Sequence, residues 1–343
     1  MSKAVIKTDA IIVGAGPVGL FAVFELGLLG IKCHVLDILG RPGGQCAELY
    51  PEKPIYDIPG HVVITGRELT ENLLAQIKPF EPVFHFNMMV QSLSRAGDDG
   101  WRIGTDDGLQ IEARVVVIAC GGGCFQPKRP RIDGIEAFEG KSVFYSIREI
   151  EAFSAKNVLI AGGGDSALDW LFALSGVAGS LTLVHRRREF RASPDSVARM
   201  EQMVADGSLD FHLGQILALH GADGRLEGVG VKGPDGDCEI ACDVLLPFFG
   251  LSVRLGPLAE WGLNMDCNLI PVDPGTFATA QPGIFAIGDI ISYPGKLKLI
   301  LSGFHEAALM AHAAYRVIHP GERLVFQHTT SSSRLQRRLG VVK

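Results

Sequence analysis

The sequence has no apolar run long enough to cross a membrane, and it carries no excess of positive charge. A membrane-spanning helix needs about 20 consecutive apolar residues, and the chain begins instead with a short polar lead that runs into a strand, unlike a secretory signal. The formal net charge of −6 provides no broad basic face for nucleic acid. We therefore expect a soluble, cytoplasmic protein with neither nucleic acid nor a membrane as a partner.

A cysteine framework is also missing. The seven cysteines are an odd number and are widely spread, and the close pairs Cys120/Cys124 and Cys238/Cys242 have C-x3-C spacing. Disulfide scaffolds and zinc knuckles use denser cysteines or C-x2-C pairs. The spacing therefore predicts neither a disulfide scaffold nor a metal site.

The sequence contains two similar glycine-rich segments. "DAIIVGAGPVGLFA" at 9–22 leads through a helical pattern to the strand "KCHVLD", and "NVLIAGGGDSALDW" at 157–170 leads in the same way to "LTLVH". Each segment reads as strand, glycine turn, helix and strand. With 47% hydrophobic residues over 343 positions, the chain has room for two domains. The duplication predicts an α/β protein with two Rossmann-like, three-layer ββα dinucleotide-binding domains.

The segments around these copies suggest how the chain is divided. "VVVIACGGG" at 115–123 reads as a buried strand, and the proline-rich "FQPKRPRIDG" after it is typical of a crossover between domains. "LEGVGVKG" and "CEIACDVLLPFFG" predict antiparallel hairpins, and a helix is expected at about 301–318. The polar "HTTSSSRLQRR" is expected to be a mobile tail.

The first glycine turn follows the G-x-G-x-x-G pattern with Gly14, Gly16 and Gly19. Glycine permits the tight turn, the approach of a pyrophosphate and close helix packing, and the helix start offers amides to the phosphates. Asp37 ends the next strand 23 residues after Gly14, where a carboxylate can accept hydrogen bonds from an adenosine ribose.

The second turn has Gly162, Gly164 and then Ala167, with Asp165 and Ser166 between them. The same 23-residue count from Gly162 reaches His185, which is followed by Arg186 and Arg187, with Arg191 nearby. Guanidiniums at the ribose position can hold a 2′-phosphate through charge-assisted hydrogen bonds. The alternative is a solvated basic strand end. The offset favours NADPH over NADH.

Two dinucleotide sites in one chain suggest that one nucleotide stays bound and the other exchanges. Nicotinamide delivers a hydride, and a flavin can receive it and release electrons singly. The first site is therefore predicted to hold tightly bound FAD and the second NADPH or NADP+.

With "GAGPVG", "RPGGQC", "GGGDSA", "HRRREFRAS" and "GIFAIGD", the chain resembles the small, thioredoxin-reductase-like members of the flavin-dependent pyridine nucleotide-disulfide reductase superfamily. The resemblance implies an NADPH domain inserted into the FAD domain. The implied domains are 1–122 for the first part of the FAD domain, 123–248 for the NADPH domain, and 249–343 for the second part of the FAD domain with a tail covering the flavin.

One departure identifies the subgroup. Thioredoxin reductases carry a C-x-x-C pair just before the second glycine turn, whereas this chain has "SIREIEAFSAKN" there and no cysteine between Cys124 and Cys238. Larger disulfide reductases place a C-x4-C pair near Cys46, but position 51 is Pro51. With both nucleotide-binding motifs and no such cysteine pair, the chain is similar to the thioredoxin-reductase-like ferredoxin–NADP+ reductases, which lack the dithiol.

That resemblance also implies roles for individual residues. Asp289 would bind the flavin side chain, Tyr50 would stack on the flavin, and His328 would cover its other face. Ordinary core or surface roles remain open for Tyr50, Val90, Phe125, His328 and Thr330. The implied FAD contacts are Asp37, Gln45, Tyr50, Val90, Phe125, Asp289, His328 and Thr330.

The chemistry would take place on the flavin, so no catalytic side chain is predicted. The expected partners are ferredoxin or flavodoxin and NADP(H), and relatives suggest a homodimer. An acidic ferredoxin favours a basic docking surface, for which the candidates are Lys296, Lys298, Arg334, Arg337 and Arg338. Three alternatives stay open: a thioredoxin-type disulfide reductase, an NAD(P)H oxidase or quinone reductase, and a non-catalytic flavin redox sensor.

Overall fold

A computed structural model describes residues 5–97, 100–147, 149–234, 236–324 and 328–341, with the side chains of 124–127 and 251–254 outside that description. The chain folds into two compact units. The first comprises Met1–Glu48, Pro54–Cys124 and Val253–Lys343, and the second comprises Leu49–Lys53 and Phe125–Ser252.

The helices and strands follow one another in this order: β1 Ile6–Lys7, β2 Ala10–Val13, α1 Pro17–Leu28, β3 Cys33–Leu36, α2 Gly44–Glu48, β4 Pro54–Ile55, β5 Ile64–Thr65, α3 Gly66–Ile77, β6 Val83–His85, β7 Val90–Ala96, β8 Gly100–Thr105, β9 Gln110–Ala113, β10 Val115–Ile118, β11 Cys124–Pro127, β12 Asn157–Ala161, α4 Asp165–Leu174, β13 Ser180–His185, α5 Pro194–Ala205, β14 Asp210–Leu213, β15 Gln215–Ala222, β16 Arg225–Gly233, β17 Gly236–Ala241, β18 Val244–Pro247, β19 Leu251–Arg254, β20 Ile270–Pro271, β21 Ile284–Ala286, β22 Ile291–Ser292, α6 Ile300–Ile318 and α7 Ser333–Arg338.

The first unit is built on a parallel sheet in the order β21-β10-β2-β3-β6. All four residues of β10 are buried, as expected for a parallel strand covered on both faces. A second sheet, β1-β9-β8-β7, contacts β2 and β10, while α1 and α6 also pack against the parallel sheet. This arrangement gives the predicted three-layer α/β fold.

Helices α1 and α6 lie unusually close to each other. A Cβ on Gly303 would lie 2.3 Å from a methyl group of Val18, so only glycine allows this approach. The ring centroids of Phe21 and Phe304 lie 4.7 Å apart. Helix α3 begins with a capping box, in which Thr65 and Glu68 each satisfy a backbone N–H of the other.

The second unit repeats the plan with a parallel sheet in the order β14-β13-β12-β18. An antiparallel meander, β15-β16-β17, packs its buried residues Leu226, Val229 and Val231 into a core shared with Leu159 and Leu245 of the parallel sheet. The internal duplication read from the sequence is thus present in the fold.

Two local expectations were wrong. The segment "VLLP" in β18 pairs in parallel with β12 rather than in a hairpin, because all four of its residues are buried in the nucleotide-type sheet. The "HTTSSSRLQRR" segment includes helix α7, which begins with the Ser332 hydroxyl accepting from the N–H of Leu335. Among the described helices, none has the length and apolarity needed to span a membrane.

Candidate functional site

The first glycine turn joins β2 to α1 and excludes side chains at two of its glycines. A Cβ on Gly14, whose φ is 111°, would lie 2.4 Å from the carbonyl oxygen of Ala119. A Cβ on Gly19 would lie 2.0 Å from the carbonyl oxygen of Gly14. The turn is therefore held against β10 by backbone contact, and the start of α1 is left available to a phosphate.

Asp37 lies beside this turn at the end of β3, as predicted. Its carboxylate accepts hydrogen bonds from the N–H groups of Ala15 (2.7 Å) and Leu39 (2.9 Å). Burial raises the pKa of the Asp37 carboxyl, and those N–H groups counteract part of that rise. The carboxylate is thus fixed next to Gly16, where a ribose hydroxyl would approach.

A second group of predicted residues gathers at the same sheet edge. Gly44 packs on Gly16, because a Cβ at Gly44 would lie 3.0 Å from the Gly16 Cα. The amide of Gln45 lies 3.8 Å from the position of a Cβ on Gly121. Asp289 follows β21 and is close enough to Cys46 to add to the effect of burial, which raises the pKa of the thiol to about 11.

Val90 opens β7 and is buried. The chain just before it lies along the Asp37 loop, since the N–H of Met88 donates to the carbonyl of Asp37 (3.1 Å). The structure therefore brings together Gly14, Gly16, Gly19, Asp37, Gln45, Val90 and Asp289 in the first unit.

Tyr50 and Phe125 are the other predicted flavin contacts, and both belong to the second unit. Tyr50 belongs to the second unit, where the ammonium of Lys53 lies 5.6 Å from its ring centroid and forms an ion pair with Asp169 at 2.6 Å. Phe125 is part of β11, and its side chain lies outside the described residues. Their predicted flavin contacts stay predictions.

His328 and Thr330 are exposed. After them, the side chain of Arg338 donates to the carbonyl of Leu28 at the end of α1. A helix of 12 residues is about 18 Å long, so α7 lies at the opposite end of α1 from the glycine turn. A flavin contact of His328 and Thr330 therefore stays a prediction.

One proposed docking residue has a buried side chain. The side chain of Lys296 is only 7% exposed and forms an ion pair with Glu306, which is fully buried. Lys296 therefore cannot present its charge to a partner, and the prediction for this residue was wrong. Lys298, Arg334 and Arg337 are exposed.

The second glycine turn joins β12 to α4. A Cβ on Gly162 would lie 2.6 Å from the carbonyl oxygen of Phe248, and a Cβ on Gly163 would lie 2.3 Å from the ring of His185. No atom lies within 4 Å of a Cβ position on Gly164, so this side of the turn is open. The carboxylate of Asp165 accepts from the N–H of Ser193 (2.9 Å), which ties α4 to the basic loop.

A cleft of about 510 Å³ opens at this turn, entirely within the second unit. The basic loop after β13 is held beside the turn by a 2.7 Å hydrogen bond from the N–H of Arg191 to the carbonyl of Gly163. The segments lining the cleft are 128–131, 161–164, 184–187, 214–216 and 248–250, together with Glu189 and Arg191.

Arg186, Arg187 and Arg191 line this cleft and are exposed. In the described part of the chain, no carboxylate forms an ion pair with any of the three. The pKa of His185 is lowered, mainly by burial, with the three arginines adding to this effect. The cleft therefore offers guanidiniums that have no carboxylate partner among the described residues, which suits a phosphate dianion.

Sequence reasoning missed Lys128, Arg129 and Arg131, which line the same cleft. They belong to the proline-rich segment that was interpreted only as a crossover. The cluster of cations in that segment was the available signal.

Thiol chemistry has little support. Cys33, Cys46, Cys238, Cys242 and Cys267 are not joined in disulfides, and burial and Asp243 raise the pKa of the buried Cys242 to about 12. Across the described residues, no cluster of histidine, cysteine or carboxylate side chains is arranged to hold a metal.

Comparison with known proteins identifies the family to which the chain belongs. A model described as pyridine nucleotide-disulphide oxidoreductase matches residues 8–314. A ferredoxin–NADP reductase of Parvibaculum lavamentivorans is 62% identical over 342 residues, covering 99% of this chain and 100% of that protein. One of Mesorhizobium japonicum is 63% identical over 339 residues, covering 98% and 99%.

Solved structures share the fold at lower identity. Thioredoxin reductase of Lactococcus lactis has a TM-score of 0.73 at 24% identity and covers 91% of this chain and 99% of its own. The T. acidophilum enzyme has a TM-score of 0.74 at 23% identity and covers 90% and 98%.

Proposed function

Because the chain belongs to the pyridine nucleotide-disulphide oxidoreductase family, we propose that it acts as a ferredoxin–NADP+ reductase, with FAD in the first unit and NADPH in the second. Bound FAD supplies the chemistry by exchanging a hydride with NADPH and single electrons with ferredoxin. The protein supplies binding, orientation and charge.

The first unit fits FAD. The backbone contacts at Gly14 and Gly19 leave no room for side chains, and the Asp37 carboxylate is fixed beside the turn. We assign Gly14, Gly16 and Gly19 to the pyrophosphate, Asp37 to the adenosine ribose, and Gln45 and Asp289 to the flavin end. Val90 provides backbone atoms toward the adenine.

The observation that carries the proposal is the set of unpaired arginines in the cleft of the second unit. Arg186, Arg187 and Arg191 lie at the ribose position of a dinucleotide turn, where a 2′-phosphate would neutralise them. Gly162, Gly164 and Ser166 would receive the pyrophosphate. Asp165 acts indirectly, since its carboxylate holds Ser193.

The missing thiol pair separates this function from disulfide reduction. A dithiol relay needs a reactive thiolate. The pKa of Cys46 is raised to about 11, and the sequence places no cysteine between Cys124 and Cys238. With no such thiolate, bound FAD would supply electrons to the acceptor without a thiol relay.

Several finer points belong to the same proposal. Flavodoxin is an alternative acceptor, the protein is a homodimer, and it works in the cytoplasm. Lys298, Arg334 and Arg337 are the exposed cations proposed to meet an acidic partner. His328 and Thr330 would limit access to the flavin.

The test is NADPH-driven reduction of cytochrome c with and without added ferredoxin, beside an assay with thioredoxin. We expect a yellow protein whose cytochrome c reduction depends on ferredoxin and which does not reduce thioredoxin. A colourless protein that takes up no flavin, or one that reduces thioredoxin alone, would contradict the proposal.

A further inference from the structure

Lys128 lines the cleft of the second unit together with the basic loop. We propose that its ammonium is a ligand for the pyrophosphate of the bound nicotinamide dinucleotide, an inference that rests on the proposed function. Rossmann turns usually hold this group with backbone amides and the helix start. Here a side chain from the segment between β11 and β12 adds a cation.

The backbone places Lys128 near the turn through two hydrogen bonds. The N–H of Lys128 donates to the carbonyl of Gly250 at 3.0 Å. Two residues earlier, the N–H of Phe248 donates to the carbonyl of Ala161 at 2.7 Å, directly before Gly162. Because the 248–250 segment is hydrogen-bonded both to Lys128 and to the residue before Gly162, we assign the Lys128 ammonium to the pyrophosphate rather than to the 2′-phosphate.

The charge on the turn explains why a cation is useful there. Asp165 is the first residue of α4, and an acid at a helix start offsets the partial positive charge that would attract a phosphate. Its carboxylate is used to hold Ser193. Lys128, which lines the same cleft, adds positive charge there.

Lys128 is exposed and has no ion-pair partner among the described side chains. Its neighbour Arg129 differs, since the Arg129 guanidinium is paired with Glu139 at 3.1 Å, and Glu139 also accepts from the hydroxyl of Tyr145. The free ammonium of Lys128 can therefore meet a ligand without breaking an internal contact.

The experiment measures dissociation constants by calorimetry on the FAD-loaded protein for NADP+, NAD+ and adenosine 2′-monophosphate. Lys128→Ala should weaken NADP+ and NAD+ by the same factor, about five- to tenfold. It should leave adenosine 2′-monophosphate unchanged, because that ligand has no pyrophosphate. Lys128→Gln should behave in the same way and guards against a folding defect in the alanine variant.

The matched control is Lys156→Ala. Lys156 is exposed, belongs to the same unit and immediately precedes β12, whose other end carries the glycine turn. Removing its charge should change no dissociation constant by more than about twofold.

Arg186→Ala provides the opposite pattern. It should weaken NADP+ and adenosine 2′-monophosphate and spare NAD+, which tests the 2′-phosphate assignment separately. Unchanged binding of NADP+ and NAD+ in both Lys128 variants would overturn the inference, as would a loss confined to NADP+ and adenosine 2′-monophosphate.

Discussion

The buried ion pair between Glu306 and Lys296 should be a major contributor to the stability of the first unit. Glu306 on α6 is fully buried and accepts from the N–H of Gly288 (2.7 Å), the hydroxyl of Tyr293 (2.9 Å) and the ammonium of Lys296. Burial, followed by the carboxylate of Glu306, raises the pKa of Tyr293 to about 12. One carboxylate thus holds both the turn before Asp289 and the segment after it.

Glu306→Ala would remove the acceptor and leave the ammonium of Lys296 and the N–H of Gly288 buried without it. Breaking a buried ion pair by removing one partner costs about 3–5 kcal/mol. For a unit of this size, that loss corresponds to a fall in Tm of roughly 10 °C. Since Gly288 precedes Asp289, FAD should also be retained less well through purification.

The assay is denaturant unfolding of the FAD-loaded protein, with flavin content measured in parallel. Glu306→Gln keeps an acceptor but loses the charge, so it should fall between the wild type and the alanine variant. Lys7→Ala breaks an exposed ion pair with Glu112 in the same unit and should change stability much less. A Glu306→Ala protein within about 1 kcal/mol of wild type would refute this reasoning.

Three other predictions follow from the same structure. Replacing Arg186 and Arg187 with alanine should raise the KM for NADPH about 10- to 100-fold and that for NADH far less; equal losses would contradict the 2′-phosphate assignment. Nδ1 of His34 lies 2.9 Å from Nε2 of His85, and burial lowers the pKa of both imidazoles. The unfolded chain should therefore bind more protons than the folded protein as the pH falls below about 6.5, so the free energy of unfolding decreases there. His85→Asn should make this decrease smaller. An unchanged pH dependence of stability in this variant would contradict the role of the two histidines. Truncation after Leu324 should alter the reaction of the flavin with oxygen while FAD is kept, and identical oxygen reactivity would remove His328 as a flavin cover.

The dinucleotide turns could be read from the sequence because their chemistry is local. Glycines at 14, 19 and 162 are required by backbone atoms a few ångströms away, and the 23-residue offset follows from one strand–helix–strand unit. Asp37 and Arg186 could therefore be located without a structure.

Other features depend on contacts between distant parts of the chain, which the hydrophobic periodicity of the sequence does not reveal. Lys296 has the sequence signature of a surface lysine, and only the fold places it against Glu306, ten residues along the chain. The tail helix α7 depends on the carbonyl of Leu28, 310 positions away from Arg338. Lys128 was missed because the cations of the proline-rich segment were interpreted only as part of a crossover, and only the fold brings that segment to the cleft.

The most direct test of the central claim is electron transfer by a protein whose candidate thiol has been removed. Cys46→Ala, loaded with FAD and driven by NADPH, should reduce ferredoxin at the wild-type rate, because no thiol takes part. A loss of ferredoxin reduction with the flavin still bound and still reduced by NADPH would show that electrons pass through Cys46, and would contradict direct transfer from the flavin.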